Sequence, residues 1–430
     1  MSVSADPPTH AGEHGASERG IVIVGGGIAG LTLALQLHRR EIACQVYEAA
    51  PELKPLGVGI SLLPHGTQAL ADLGLLGELE QRAVKFTESA FFTAHGQLVH
   101  RDPATSEFPQ FLIHRAALHE VLYEAVVERL GAAAVQLGMR CTGVREEADG
   151  AVAVFVDASG ATHAAAGRAV IACDGIHSKV RAQLYPDEGA PVFTGVNMWR
   201  GVTVHPPIFS GSAHMRVGTV EHGKMVIYPI RNDVDGNGNQ LINWVAEVRQ
   251  EATGPVDWSA PGRIDDFLPF FADWKFDWLD VPALIQNAEA ILEYPMSDRD
   301  PLERWSFGHV TLAGDAAHPM IPRGSNGAMQ AIVDTVALAE ALATIPDVPA
   351  ALQRYEEVRR ENVNRVVLTN RSTPPDHLIE VVDERTGSQP FERIEDVISS
   401  AEIAEILDRY KQVAGYSAAA LSAGREPSAR

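Results

Sequence analysis

The chain has 430 residues, 46% hydrophobic and 21% charged, so it is globular rather than disordered or fibrous and long enough for two or three lobes. It carries 35 Lys and Arg against 56 Asp and Glu, and the net charge of −21 argues against nucleic acid and anionic membranes as partners. Cys44, Cys141 and Cys173 are too scattered for a disulfide framework or a zinc site, so a reducing compartment and no metal are expected.

Residues 1–19, rich in Ser, Pro, Gly and His, read as a disordered leader, without the basic start and apolar run of a signal peptide. Ile21-Val22-Ile23-Val24 reads as a buried strand, and a glycine turn then opens a helix to about Arg39. Gly25, Gly26, Gly27 and Gly30 break this apolar stretch, which is wrong for a membrane span, and a cytoplasmic location is expected. A second strand falls at 43–48 and a hairpin at 86–100, turning at His95-Gly96. A helix over 115–130 carries Leu118, Val121, Leu122 and Ala125 on one face, and strands follow at 151–156 and 168–172. From about 195 to 294 the strand-like runs 196–204, 224–230 and 241–248 alternate with Gly, Asn and Asp turns, which predicts a largely antiparallel sheet. The first fold resumes with a strand at 309–314 and a helix over 327–344, followed by a charged helix at 351–371. The tail beyond Pro374 is expected to cover a domain face.

Gly25-Gly26-Gly27-Ile28-Ala29-Gly30 has the G-x-G-x-x-G spacing between a strand and a helix. Its first glycine makes the tight turn, its second lets backbone approach a pyrophosphate, and its third lets helix pack on strand. Glu48 ends the next strand 18 residues after Gly30, where a carboxylate binds ribose hydroxyls. A second constellation, His309 to His318, is a strand ending in Gly314-Asp315. There Asp315 is placed to accept from the ribityl chain of a flavin, or else only to cap a helix. The amides from Gly324 through Asn326 to Gly327 would present a helix N-terminus to the flavin's pyrimidine edge, where reduced flavin is anionic. Cys173-Asp174-Gly175 is a third strand end, readable alone as an ordinary turn.

With these three pieces the chain resembles the class A FAD-dependent aromatic monooxygenases, the para-hydroxybenzoate hydroxylase-like family. The resemblance spans roughly residues 20–370, with Arg115 in His114-Arg115-Ala116-Ala117-Leu118 matching an arginine that contacts FAD. Residues 55–60, 198–203, 268–274 and 294–296 look most like its methylphenazine-carboxylate monooxygenase and salicylate-hydroxylase-like branches. The chain departs from the family at Gly324-Ser325-Asn326-Gly327-Ala328, at His65 after Pro64, and at Cys173.

The resemblance implies an α/β chain with an FAD-binding Rossmann-like domain (20–85, 101–190 and 300–350), a mostly antiparallel sheet domain for substrate (86–100 and 191–299) and a helical C-terminal region (351–430). It also implies NADH or NADPH as a transient co-substrate, O₂, a C4a-hydroperoxyflavin, and hydroxylation of a small aromatic substrate, with or without decarboxylation. No second G-x-G-x-x-G is present to bind the nicotinamide. Candidate substrate residues are Trp199, Arg200, Asn243, Trp244, Tyr294 and Pro322, although strand alternation forbids Trp199 and Arg200 from sharing a face. Arg200 suits an aromatic carboxylate and Tyr228 a ring hydroxyl, each with a packing alternative. His65 is a second catalytic candidate, and His214 merits testing. A reductase or oxidase on the same fold, and a flavoprotein that sequesters an aromatic ligand, remain as alternatives.

Overall fold

The computed structural model describes residues 19–52, 58–250 and 261–423. Most of the expected leader, the start of the 55–60 match and the end of the C-terminal tail lie outside the described residues. Among the described residues no helix is long and apolar enough to cross a membrane.

Six strands form the first sheet, in the order Ser306–Phe307, Val310–Leu312, Ala169–Ala172, Ile21–Val24, Cys44–Tyr47, Val135–Gln136. All neighbours are parallel except the first pair. Ile21–Val24 is buried at every position, because helices cover both faces of a parallel sheet and leave no polar side. The helix Ile28–His38 follows it, and nine of its residues are buried, from Ile28 to Leu37. It packs with Gly327–Thr344, a second apolar helix, in the larger of the two main cores.

The second sheet has seven strands in the order Ile291–Asp298, Val192–His205, Gln240–Arg249, Gly223–Arg231, Ala213–Thr219, Glu88–Phe92, Leu98–Pro103. It is antiparallel apart from the pairing of Ala213–Thr219 with Glu88–Phe92. The hairpin read at 86–100 thus forms this sheet's edge. Two of its strands, Ala213–Thr219 and Ile291–Asp298, were not among the runs read from sequence. One face of the sheet is a closed apolar core of Met215, Val217, Met225, Ile227, Ile242, Trp244 and Phe267. The opposite face carries Arg200, His214, Val226 and Tyr228, which share a cavity with residues of the glycine turn. The chain ends in helices Val348–Ser372, His377–Thr386 and Ser400–Ala414, the last burying Ile403, Leu407, Tyr410 and Ala414 along one stripe.

Candidate active site

The glycine turn divides into two kinds of residue. A Cβ on Gly25 (φ +103°) would lie 2.4 Å from the Cys173 carbonyl oxygen, and one on Gly30 would lie 1.9 Å from that of Gly25. These glycines are demanded by the protein's own packing. Gly27 is not: its φ of −76° suits any residue, and a Cβ there meets nothing within 4 Å. The room beside it belongs to a cleft of about 400 Å³ lined by Gly26, Glu48, Arg115 and His119. Glu48 accepts from the amides of Gly26 (2.7 Å) and Ala50 (2.8 Å), which fixes its carboxylate at the strand end. His119 Nε2 lies 2.7 Å from the Gly26 carbonyl. A helix N-terminus, an exposed arginine and a fixed carboxylate suit a pyrophosphate and a ribose.

Arg115 and Gly27 also line a second cavity of about 370 Å³, between the glycine turn and the seven-stranded sheet. Asp315, Pro322, Asn326 and Gly327 form one wall, and Met198, Arg200, Val226 and Tyr228 from the sheet form the other. Asp315 is exposed to this cavity, which its side chain lines. Burial, and then the nearby Asp334 charge, raise its pKa, while His318 and Arg115 oppose that rise. A carboxylate so placed calls for a hydrogen-bond donor from a ligand. The ribityl hydroxyls of FAD fit that need, and the open space at Gly27 fits the diphosphate.

The support beneath Asp315 was not anticipated. Gly314 (φ +57°) donates its amide to Asp334 Oδ2 at 3.1 Å. Asp334 is held by His318 (2.6 Å) and Arg359 (2.8 Å). Burial alone would push Asp334 up, but those two groups bring its pKa down to about 2. The available signal was an aspartate in the middle of a largely apolar helix. Asp174, expected at the cofactor, lines neither cleft itself: its Oδ2 accepts from the Lys179 amide (2.9 Å), its Oδ1 is buried with no partner, and its neighbours Cys173 and Gly175 line the cavity.

Beyond the flavin cavity lies a chamber of about 460 Å³, and Ser61, His214 and Ser325 line both. Ser325, a non-glycine at φ +56°, makes the turn between them. Phe91 and Arg216 from the sheet and Tyr410 and Tyr416 from the C-terminal region close the chamber. Tyr410 anchors that closure, donating to Asn370 Oδ1 (2.7 Å) and accepting from Asn326 Nδ2 (2.9 Å). A Cβ on Gly324 would fall 1.6 Å from the Tyr410 hydroxyl, so the glycine is what lets the C-terminal helix reach the flavin loop.

Alternation decides between Trp199 and Arg200. Arg200 faces the cavity, whereas Trp199 is buried in the sheet's other core, stacked on Phe267 at 4.8 Å, and Trp244 lies in that core too. Asn243 holds the wall in place by accepting from the Gly59 amide (2.7 Å) and does not line either cavity. Tyr294 sits under the Arg200 guanidinium at 5.9 Å. Tyr228 and Pro322 line the flavin cavity. Tyr228 stacks on His214 with ring centres 4.8 Å apart. Burial raises the Tyr228 phenol against the opposing pull of Arg200, and burial drives His214 well below its ordinary value, with Arg216 adding to that. His65 lines neither cavity. It stacks on Tyr416 at 5.5 Å, and burial lowers its pKa to about 3.

A parallel sheet with this glycine turn and Gly-Asp loop, roofed by an antiparallel sheet, is the architecture of an FAD-dependent aromatic monooxygenase. The chain belongs to the FAD binding domain family, whose model matches residues 18–370. It is 38% identical over 417 residues to a phenazine 1,6-dicarboxylic acid hydroxylase of Lysobacter antibioticus, covering 93% of this chain and 98% of that one. A 3-amino-4-hydroxybenzoate 2-monooxygenase of Streptomyces platensis is 36% identical over 410 residues, covering 93% and 96%. Among solved structures, a salicylate hydroxylase in complex with substrate superposes with a TM-score of 0.69 at 26% identity, over 94% of this chain and 100% of that one. The protein is an FAD-dependent aromatic hydroxylase.

Proposed function

We propose that the protein uses NAD(P)H and O₂ to hydroxylate a heteroaromatic or aromatic acid, with loss of CO₂ when attack falls on the carbon bearing a carboxyl group. The observation that carries this reading is the chamber that meets the flavin cavity at Ser61, His214 and Ser325. Phe86, Phe91, Tyr410 and Tyr416 supply aromatic surface to its otherwise largely polar lining, and it adjoins the place where the reacting edge of the flavin would lie. Bound FAD supplies the redox chemistry, through which NAD(P)H, a proton, O₂ and the arene become NAD(P)⁺, water and the hydroxylated ring.

The chain's own residues bind, orient and exclude water. Glu48, Arg115 and Asp315 hold the cofactor along its length, and Gly27 leaves room for its phosphates. The Tyr228 phenol, kept protonated by burial, donates to a ring substituent. His214 lines both cavities and burial keeps it neutral, so its imidazole can accept from a ring hydroxyl and raise the electron density of the ring. Tyr410 and Tyr416 seal the chamber from water. The relatives named above act on a phenazine dicarboxylate and an aminohydroxybenzoate, which supports an acid as substrate.

The test is NAD(P)H oxidation across a panel of benzoic, quinoline and phenazine acids, with product mass under ¹⁸O₂. One labelled oxygen in the product of a stimulating compound is expected. Stimulation by an alcohol or alkene without label, and none by any aromatic, would place the protein with the reductases or oxidases instead.

A further inference from the structure

A chain of five charges leads from the flavin cavity to the surface. Lys224 and Glu247 face one another on neighbouring strands, joined at 2.9 Å, and both are buried. Glu247 also lines the flavin cavity. Lys224 Nζ reaches Asp376 Oδ2 at 2.9 Å, and Arg323 Nη2 reaches the same oxygen at 3.0 Å. Arg323 also donates to Glu380 Oε1 at 3.1 Å, and these last two residues line an open cleft.

Asp376 stands immediately before the helix His377–Thr386, yet its side chain caps none of that helix's amides. The carboxylate best placed to cap is turned away to hold two cations instead. Burial would raise its pKa, but Lys224 and Arg323 hold it well below the ordinary carboxylate value. Stability does not account for such a cluster. Taking ions out of water offsets most of what their pairing returns, and apolar residues of the same volume would serve the fold as well. Apolar residues could not, however, set the charge beside a cofactor. Arg323 sits in the flavin loop between Pro322, which lines the flavin cavity, and Ser325, which lines both cavities. Asp376 and Glu380 lie beyond residue 370, past the stretch that the family model matches.

We propose that Asp376 is a positioning residue that sets the reduction potential of the bound FAD, acting through Arg323 on the flavin loop and through Lys224 on Glu247. Reduced flavin is anionic, so a negative charge near the loop disfavours reduction and a positive charge favours it. Asp376 holds both cations in place and offsets them. Removing its charge leaves the surroundings of the flavin one unit more positive, and the reduced form gains. The inference rests on FAD in the cavity and on no substrate, so a protein that hydroxylates nothing would leave it standing.

The experiment reduces the FAD-loaded protein without oxygen, beside a dye of known potential, and follows the absorbance of both. At a fixed poise Asp376→Asn should raise the ratio of reduced to oxidised flavin by about 3- to 10-fold, as one charge acting across a partly screened interior allows. Arg323→Gln removes a charge of the other sign and should lower that ratio by a similar factor. Asp376→Glu restores the carboxylate and should return the ratio to that of the unaltered protein. General loosening of the fold would move both variants the same way, whereas charge demands opposite shifts. Shifts of one sign, or no shift in either variant, would overturn the proposal. Loss of folding or of FAD in both would do so too, and would make the cluster a folding element. Where only one of the two variants holds FAD, the sign of its own shift decides. Product analysis of the unaltered protein under ¹⁸O₂ tests the hydroxylase reading separately.

Discussion

At the Glu48 end of the cavity the walls are backbone turns, one arginine and two carboxylates. At the His214 end they are side chains brought together from the sheet, from the strand Gly59–Leu62, from the loop at Ser325 and from the C-terminal helices. We assign to the first end what every member of the family shares, a dinucleotide, for which backbone suffices. To the second we assign what differs between members, because only side chains can vary without disturbing the fold. Substitutions at the two ends should therefore fail in different ways.

The largest effect is expected at Gly27. A Cβ there meets no protein atom within 4 Å and the backbone dihedral suits any residue, so the Gly27→Val chain should fold with little change in thermal stability. The valine branches occupy the space the diphosphate needs, and flavin content should fall to background. Retained flavin would remove the open glycine from the argument. Gly25→Val makes the control, since its clash with Cys173 should unfold the protein outright.

Acid should strike the substrate end before the cofactor end. His65 and His214 have folded pKa values depressed by burial, so the unfolded chain binds protons that the folded chain refuses. Stability is then flat above the unfolded value near 6.5 and is lost as pH falls below it, by about 2 kcal/mol for each histidine at about pH 5. Asp174 and Asp315 act with the opposite sign: their raised folded values mean that protonation below the neutral range relieves their burial. Thermal melts between about pH 5 and 8 check this, and His214→Asn should remove about half of that loss, His65 keeping the rest. A profile unchanged in that variant would show that the buried imidazole is not the cause.

Asp315→Ala comes next, at about 1.5–3 kcal/mol in FAD affinity for the loss of a charge-assisted bond. Should Asp315 act only as a helix cap, melting temperature falls and FAD affinity does not. Measuring both on one preparation decides the matter.

The contrast also explains what could be read in advance. Gly25 to Gly30, Glu48 and Gly314-Asp315 each follow directly on a strand, so short stretches of chain carry both their structure and their chemistry. The chamber has no such local signature. The strand Ala213–Thr219 went unread because a turn glycine interrupts it at Gly218 (φ +70°) and a histidine and an arginine dilute its apolar residues. Alternation showed that Trp199 and Arg200 oppose one another, but both faces of that sheet are covered, so it could not show which one looks at the cavity. The stripe Ile403, Leu407, Tyr410 and Ala414 declares that the C-terminal helix buries a face, yet nothing local says that the flavin loop is what it covers.

That docking sets the smallest predicted effect. Tyr410 joins the C-terminal helix to Asn370 on one side and to Asn326 of the flavin loop on the other. Tyr410→Phe keeps the ring and its packing and removes the hydroxyl, at a cost of about 1 kcal/mol in stability, with two asparagine groups left short of a partner. A phenylalanine that only weakened the fold would lower the melting temperature and nothing else. If the helix seals the chamber, the variant should also divert reducing equivalents, so that more peroxide appears per NAD(P)H consumed in the presence of substrate while FAD affinity stays as it was. Coupling measured as product per NAD(P)H is the discriminating readout. Unchanged coupling with a lower melting temperature would reduce Tyr410 to a packing residue and would leave the closure of the chamber to Tyr416.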